Sequence, residues 1–164
     1  MADLATLIAE LSGAAPEQRA AAAERLASLG EQAQAAAVPL VRATADSDEG
    51  VRNWATSALE DLGPPAATDG AALAELLADD SEDIGYWAAT LLGRLADARH
   101  VDALAAALAA DRPLIVRQRS CWALGQIGPP AQAARSSLEQ AAASDDRRLA
   151  RLAQAALERL SHQR

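Results

Sequence analysis

The chain has 164 residues and is 51% apolar, yet it contains no Phe and only 2% aromatic residues. Its apolar residues are therefore mainly Ala and Leu, which favour helices, and the scarcity of Val and Ile argues against a β-sheet. The formal charge of −8 argues against general binding to a nucleic acid backbone, and no segment approaches the ~18 consecutive apolar residues of a membrane span.

Five segments repeat one helical pattern along the chain. An apolar residue is followed by small residues four and seven positions later, and by Leu or Ile at positions +8 and +11. The segments are residues 18–30, 51–63, 84–96, 116–128 and 149–161, and their starts are 33, 33, 32 and 33 residues apart. At about 100° per residue these positions fall within ~100° of arc, which predicts one buried stripe on each helix.

A shorter helix is predicted before each of these segments, at residues 4–11, 32–43, 71–78, 101–109 and 131–143. Gly30, Gly63 and Gly128 stand where a left-handed cap ends a helix, and a pair of prolines follows two of them. Acidic turns then separate the first helix of each pair from the second. We expect the acids Asp46, Asp79 and Asp111 to cap helices and to pair with Arg52 or Arg117.

The unit Val-Arg-x-x-Ala-x-x-Ala-Leu-x-x-Leu-Gly after an Asp-containing turn resembles the short HEAT-like repeat, the type also found in phycobilisome lyases. Val51-Arg52 and Val116-Arg117 match best, whereas the first unit has Gln18, the third has Gly85, and the fifth lacks the final Gly. Atypical end repeats are expected because they face solvent on one side.

The period and the resemblance together predict an all-α chain of about five helical hairpins and ten helices. The resemblance implies a right-handed α-solenoid. We expect one domain over residues 1–164, with repeats near 1–30, 31–63, 64–97, 98–128 and 129–164. A compact helical bundle is the alternative, and the regular period of about 33 residues argues against it.

HEAT-like solenoids line their concave face with second helices, so the resemblance indicates which face to search. Positions +2, +3, +6 and +10 of each segment lie at about 200°, 300°, 240° and 280°, beside the buried stripe. Every aromatic residue of the chain falls in this arc. The three central repeats place these residues there: Asn53, Trp54, Ser57, Asp61, Tyr86, Trp87, Thr90, Arg94, Gln118, Arg119, Trp122 and Gln126. Because Trp, Tyr and Arg are common anchors of binding surfaces, we predict that this set binds a partner.

An alternative interpretation applies to several of these side chains. Position +3 borders the buried stripe, so Trp54 and Trp87 are also suited to packing between neighbouring helices. Trp122, at position +6, lies further from the stripe and is harder to bury. Arg94 and Arg119 are also compatible with ordinary solvated charges.

The sequence carries no recognisable catalytic or cofactor motif. It has no phosphate loop, dinucleotide fingerprint or metal-ligand spacing, and neither His100 nor His162 has a Cys or second His nearby. The lone Cys121 lacks a His to activate it, so we expect a small packed residue. It also excludes an internal disulfide, and the N-terminus lacks the basic segment of a signal peptide. We therefore predict no catalytic residue, metal or cofactor, and a cytoplasmic location.

The charge is unevenly distributed. Residues 1–82 hold 4 Arg and 15 acids, a net −11, and residues 83–164 hold 11 Arg and 8 acids, a net +3, which together give −8. The basic second half leaves room for a local anionic contact.

We expect a non-catalytic scaffold that binds a partner protein or peptide through the concave aromatic face, without nucleic acid or membrane, as a monomer or weak dimer. One alternative is a lyase or chaperone accessory, since phycobilisome lyases handle a tetrapyrrole with such repeats. A second is a nucleic-acid-binding HEAT-like protein, because HEAT-like DNA glycosylases place Trp and Asp on a concave face, as Trp54, Asp61 and Trp87 loosely do. A third is self-association through the aromatic patch.

Overall fold

The computed structural model describes residues 3–162, and every regular element in that range is a helix. The α-helices are α1 (Leu4–Glu10), α2 (Pro16–Leu29), α3 (Ala37–Ala43), α4 (Glu49–Asp61), α5 (Gly70–Leu76), α6 (Glu82–Leu95), α7 (Val101–Ala106), α8 (Leu114–Ile127), α9 (Arg135–Ala142) and α10 (Arg147–Ser161). Short 3-10 helices at Gly30–Ala36, Ala67–Asp69, Ala98–His100 and Pro129–Ala134 precede α3, α5, α7 and α9. The predicted all-α fold is confirmed.

The second helix of each pair starts two residues before the predicted segment, because the cap lies further upstream. Asp48 accepts a hydrogen bond from the backbone N–H of Val51 at 3.0 Å. Asp146 caps α10 in the same way, through the N–H of Leu149 at 2.6 Å. The first apolar residue of the pattern is therefore the third residue of its helix, where a capping side chain reaches the backbone.

The first helix of each pair differs from its prediction. Residues 32–43 and 131–143 do not form single α-helices, because each stretch begins with a 3-10 helix. Pro39 then lies in the first turn of α3, where its missing N–H has no partner within the helix to lose. The predicted ends at residues 78 and 109 are also too late, since α5 ends at Leu76 and α7 at Ala106.

The buried stripe lies where the repeat places it. At position +8, Leu26, Leu59, Leu92 and Leu124 are at most 1% exposed. The corresponding Leu157 of the last helix is half-buried. Small residues beside the stripe, such as Ala55 with 0% exposure, let neighbouring helices approach closely.

Arginines after the first apolar residue tie the helix to the preceding turn, but not as predicted. Nη1 of Arg52 donates to the backbone carbonyl of Asp46 at 2.9 Å, rather than pairing with its carboxylate. That carboxylate instead accepts hydrogen bonds from Nε and Nη2 of Arg19 at 2.8 and 2.7 Å. Arg117 Nε likewise donates to the carbonyl of Leu108 at 3.2 Å. The expected pairing of Asp46 with Arg52 is thus wrong. The expected capping by Asp46, Asp79 and Asp111 is also wrong, since the N-caps of α4, α6 and α8 are Asp48, Ser81 and Pro113.

The chain separates into two compact units, the first ending at Asp69 and the second beginning at Gly70. In the first unit α2 packs along α4, with α1 against α2 and α3 against α4. In the second unit α8 packs between α6 and α10, while α5, α7 and α9 pack against α6, α8 and α10 respectively. Within residues 3–162, no helix has both the length and the apolar character needed to cross a membrane.

Candidate functional site

The predicted residues of the first unit lie on α4. Asn53, Trp54 and Asp61 are exposed, and Ser57 is half-buried. The Trp54 side chain is 40% exposed, so packing between helices does not account for it.

In the second unit, three predicted residues are buried: Trp87, Thr90 and Gln118. Trp87 is 7% exposed and Thr90 is 0% exposed. The ring of Trp87 meets the ring of Tyr86 edge to face, with 5.4 Å between centroids and an interplanar angle of 85°. Trp87 is therefore a packed residue rather than an exposed binding residue, and its ring packs against that of Tyr86.

Arg119 lies between two aromatic rings. Its Cζ atom is 4.1 Å from the centroid of the Trp122 ring and 5.0 Å from that of Tyr86. Its Nε donates to Oγ1 of Thr90 at 2.6 Å, and this hydroxyl donates to the Tyr86 carbonyl at 2.8 Å. Two cation–π contacts and a hydrogen bond therefore fix the guanidinium in place.

The close approach of α6 and α8 positions the Trp122 ring. Gly93 of α6 has no side chain, and a Cβ atom there would overlap that ring. The amide oxygen of Gln126 accepts hydrogen bonds from Nε1 of Trp122 at 3.2 Å and from Nη1 of Arg159 at 2.6 Å, when the amide is oriented toward these two donors. The ring thus packs against Gly93, and a hydrogen bond holds its indole nitrogen.

A cavity of about 180 Å³ opens beside Arg119. We call it the Arg119 pocket, and its lining residues come from α6, α8 and α10: Tyr86, Ile115, Gln118, Arg119, Trp122, Arg148 and Leu152. Gln118 is 9% exposed, and its Nε2 donates to Oδ1 of Asp146 at 3.0 Å, which joins α8 to the cap of α10. Two other predicted residues, half-buried Arg94 and exposed Gln126, do not line the pocket.

Three lining residues are absent from the predicted set. Leu152 occupies position +3 of the fifth segment, outside the three central repeats. Ile115 and Arg148 stand one position before the first apolar residue, at about 260° on the helical wheel and so within the same arc. The predicted helices begin too late to include them, and an arc extended into the first helical turn identifies both.

The pocket is cationic. Burial lowers the pKa of the Arg119 guanidinium, and the charges of Arg94 and Arg148 act in the same direction; the group remains protonated at neutral pH. Among residues 3–162, no carboxylate forms an ion pair with Arg119 or Arg148. The nearby Asp146 is engaged by the backbone N–H of Leu149 and by Gln118, hydrogen bonds that lower its pKa.

Other reactive groups lie away from the pocket surface. Cys121 is 0% exposed, and burial raises the pKa of its thiol to about 12, so the thiol stays protonated. In the part of the chain that the structure describes, no three His, Cys, Asp or Glu side chains form a group able to hold a metal ion.

Comparison with known proteins identifies the repeat. A family model described as HEAT repeats matches residues 4–84 and again residues 70–158. The predicted family is thereby confirmed. No curated protein matches the sequence.

Solved structures with a similar fold come from natural and designed proteins. The phycocyanin lyase complex of CpcE and CpcF from Nostoc sp. PCC7120 matches with a TM-score of 0.71 and 23% identity, over 99% of this chain and 66% of that one. A designed armadillo repeat protein in complex with the peptide (KR)4 matches with a TM-score of 0.65 and 20% identity, over 96% and 81%. Human deoxyhypusine hydroxylase matches with a TM-score of 0.57 and 22% identity, over 98% and 74%. At these identities the likeness is one of fold, and that fold is the one of HEAT and armadillo repeat proteins.

Proposed function

Since the chain belongs to the HEAT repeat family, we propose that it is a non-catalytic scaffold that binds a partner protein or peptide through the Arg119 pocket and its rim. The observation that carries this proposal is the ordered sandwich of Tyr86, Arg119 and Trp122. A preorganised aromatic and guanidinium cluster loses little conformational entropy on binding, and such residues dominate binding energies at interfaces.

The rim of the pocket adds exposed apolar surface. Ile115, in the first turn of α8, is 43% exposed and also lines the pocket. Exposed aliphatic side chains next to aromatic anchors are typical of the centre of a protein interface. The designed armadillo protein that holds the peptide (KR)4 supports a peptide as a ligand for this type of fold.

The size of the pocket bears on the alternative of a tetrapyrrole-handling accessory. Its volume of about 180 Å³ lies below the range of roughly 300–1,000 Å³ that is usual for sites of larger small molecules. This favours insertion of one or two side chains of a partner over a tetrapyrrole. The likeness to the phycocyanin lyase complex supports the shared fold only.

We place no catalytic step on this chain, because the Cys121 thiol is buried and protonated and the pocket is lined by guanidinium, amide, aromatic and aliphatic groups. The lone cysteine is also consistent with a cytoplasmic location, which forms part of the proposal. For the nucleic-acid alternative, a duplex-binding assay at low salt discriminates, since backbone binding is strongest there.

Photo-crosslinking in cells of the source organism tests the proposal. A benzophenone amino acid replaces Ile115 at the pocket rim or, as a control, the exposed Gln140 on α9. We expect a discrete adduct with one partner protein from position 115 and none from position 140. Equal labelling from both positions, or none from position 115, contradicts a partner at this face.

A further inference from the structure

We propose that the Arg119 pocket recognises a carboxylate side chain next to an aliphatic residue, so that the partner presents an acidic peptide segment. This inference rests on the proposed function, because it specifies the chemistry of the partner at the same face.

The hydrogen bonds of Arg119 are the first support. Only its Nε donates to a residue that the structure describes, the hydroxyl of Thr90. The Nη1 and Nη2 groups have no hydrogen-bond acceptor among residues 3–162, and the side chain is half-buried. A guanidinium fixed at Nε with free Nη donors matches a carboxylate, which accepts from Arg with well-defined geometry.

The charge of the lining is the second support. Arg148 brings another guanidinium to the same cavity, and no acidic side chain lines it. Burial of Arg119 without a counter-ion is unfavourable, and its lowered pKa reflects this. An incoming carboxylate relieves that cost, since a partly buried charge is stabilised by an opposite charge close to it.

The apolar residues of the lining favour a peptide over a small free anion as the source of the carboxylate. Ile115 on α8 and Leu152 on α10 line the pocket together with the Trp122 ring. A free small anion leaves these surfaces uncovered, whereas a peptide with Leu beside Asp or Glu contacts both the cations and the aliphatic side chains. A peptide segment therefore fits the pocket better than an inorganic anion or a headgroup alone.

The test uses two matched peptides, acetyl-Ser-Leu-Asp-Ser-amide and acetyl-Ser-Leu-Asn-Ser-amide, titrated into the ¹⁵N-labelled protein. The indole N–H resonance of Trp122 reports on the pocket, and that of exposed Trp54 on α4 is the internal reference. We expect the Asp peptide to shift the Trp122 resonance saturably and to bind at least about tenfold more tightly than the Asn peptide. Added salt is expected to weaken only the Asp peptide.

Two arginines of α10 form a matched pair of variants. Arg148 lines the pocket, whereas Arg151 is exposed one helical turn away and does not. Arg148→Gln is expected to reduce the preference for the Asp peptide at least threefold, and Arg151→Gln to leave it unchanged. Both positions are exposed, so both variants are expected to fold.

The unfavourable outcomes are distinguishable. Equal binding of the two peptides at Trp122 overturns the carboxylate preference and leaves the proposed function intact. If neither peptide shifts the Trp122 resonance, the inference is also overturned. The crosslinking experiment at position 115 then tests the proposed function independently. If acetate binds as tightly as the Asp peptide, the pocket holds an adventitious anion only, and the inference is overturned. A concentration-dependent dimer that Ile115→Asp disrupts shows that a second copy covers this face, which also overturns it.

Discussion

Trp54, Trp87 and Trp122 have different roles although they belong to one arc of the repeat. Trp54 is 40% exposed and Trp87 is 7% exposed, yet both occupy position +3. Trp122 is half-buried and contacts Arg119. The exposure of an aromatic ring thus depends on the neighbouring side chains as well as on the helical position.

Replacement of Trp87 separates packing from binding at the level of a single residue. Trp87→Ala removes a buried ring and is expected to lower the free energy of unfolding by about 3–5 kcal/mol. Trp54→Ala, at the equivalent position of α4, is expected to lower it by less than about 1 kcal/mol. Urea denaturation followed by circular dichroism measures both values. Similar losses for the two variants contradict the assignment of Trp87 to the core.

The carboxylate of Asp46 makes stability depend on pH. The hydrogen bonds from Arg19 hold the pKa of Asp46 below its usual range. A carboxyl group whose pKa is lower in the folded state stabilises the fold at pH values above its unfolded pKa. That contribution is lost as the pH falls through the folded pKa.

Asp46→Asn is therefore expected to lower the Tm by about 2–6 °C at neutral pH. The difference from the unmodified protein shrinks as the pH drops through the lowered pKa of Asp46. Asp145→Asn, at an exposed carboxylate, is the control and is expected to leave the Tm nearly unchanged. Thermal scans across an acidic pH series measure the effect, and a difference that grows as the pH falls contradicts it.

At the scale of the elements, two glycines at position +9 differ in the space beside them. A Cβ at Gly93 of α6 overlaps the Trp122 ring and lies 3.0 Å from Cα of Ala123. A Cβ at Gly125 of α8 lies 3.4 Å from Cα of Ala156, an ordinary contact. The approach of α6 to α8 therefore requires glycine, and that of α8 to α10 does not.

Gly93→Ala is expected to lower the free energy of unfolding by about 1–3 kcal/mol, because neither the ring nor the backbone can move aside easily. It is also expected to change the fluorescence of Trp122. Gly125→Ala is expected to stay within about 1 kcal/mol of the unmodified protein, since alanine favours the helix. Denaturation and emission spectra of the two variants provide the comparison, and equal losses contradict the close contact at Gly93.

The helices themselves were predictable to different extents. The repeated small residues and leucines predict the second helix of each pair, because they mark the face of the helix that is buried. These helices are α2, α4, α6, α8 and α10. The first helices lack such a regular face, so their 3-10 beginnings at Gly30–Ala36 and Pro129–Ala134 leave no periodic signal. The start of α8 at Leu114 also precedes the pattern, which is why Ile115 is absent from the predicted site.

For the molecule as a whole, the sequence predicts the charge distribution and the arc of aromatic residues better than the contacts between helices. The chain carries −8 overall, while its second half carries +3. The arc of aromatic and polar residues is visible in the sequence, and Arg119 and Trp122 lie on the same helix α8. The contact of Arg119 with Tyr86, in contrast, depends on how α8 packs against α6. Packing between helices also buries Trp87 and Thr90 and brings Arg148 to the pocket. The pattern of a single helix does not predict such contacts.

A partner that docks at the Arg119 pocket is expected to depend on the residues that line it. Crosslinking identifies the partner, and isothermal titration calorimetry with the purified, free partner then compares variants of two adjacent residues. Leu114 and Ile115 are equally exposed, at 43% each, but only Ile115 lines the pocket. We predict that Ile115→Asp raises the Kd at least about tenfold and that Leu114→Asp raises it less than about threefold. An unchanged Kd for Ile115→Asp, or equal losses of affinity for both variants, contradicts docking at the Arg119 pocket.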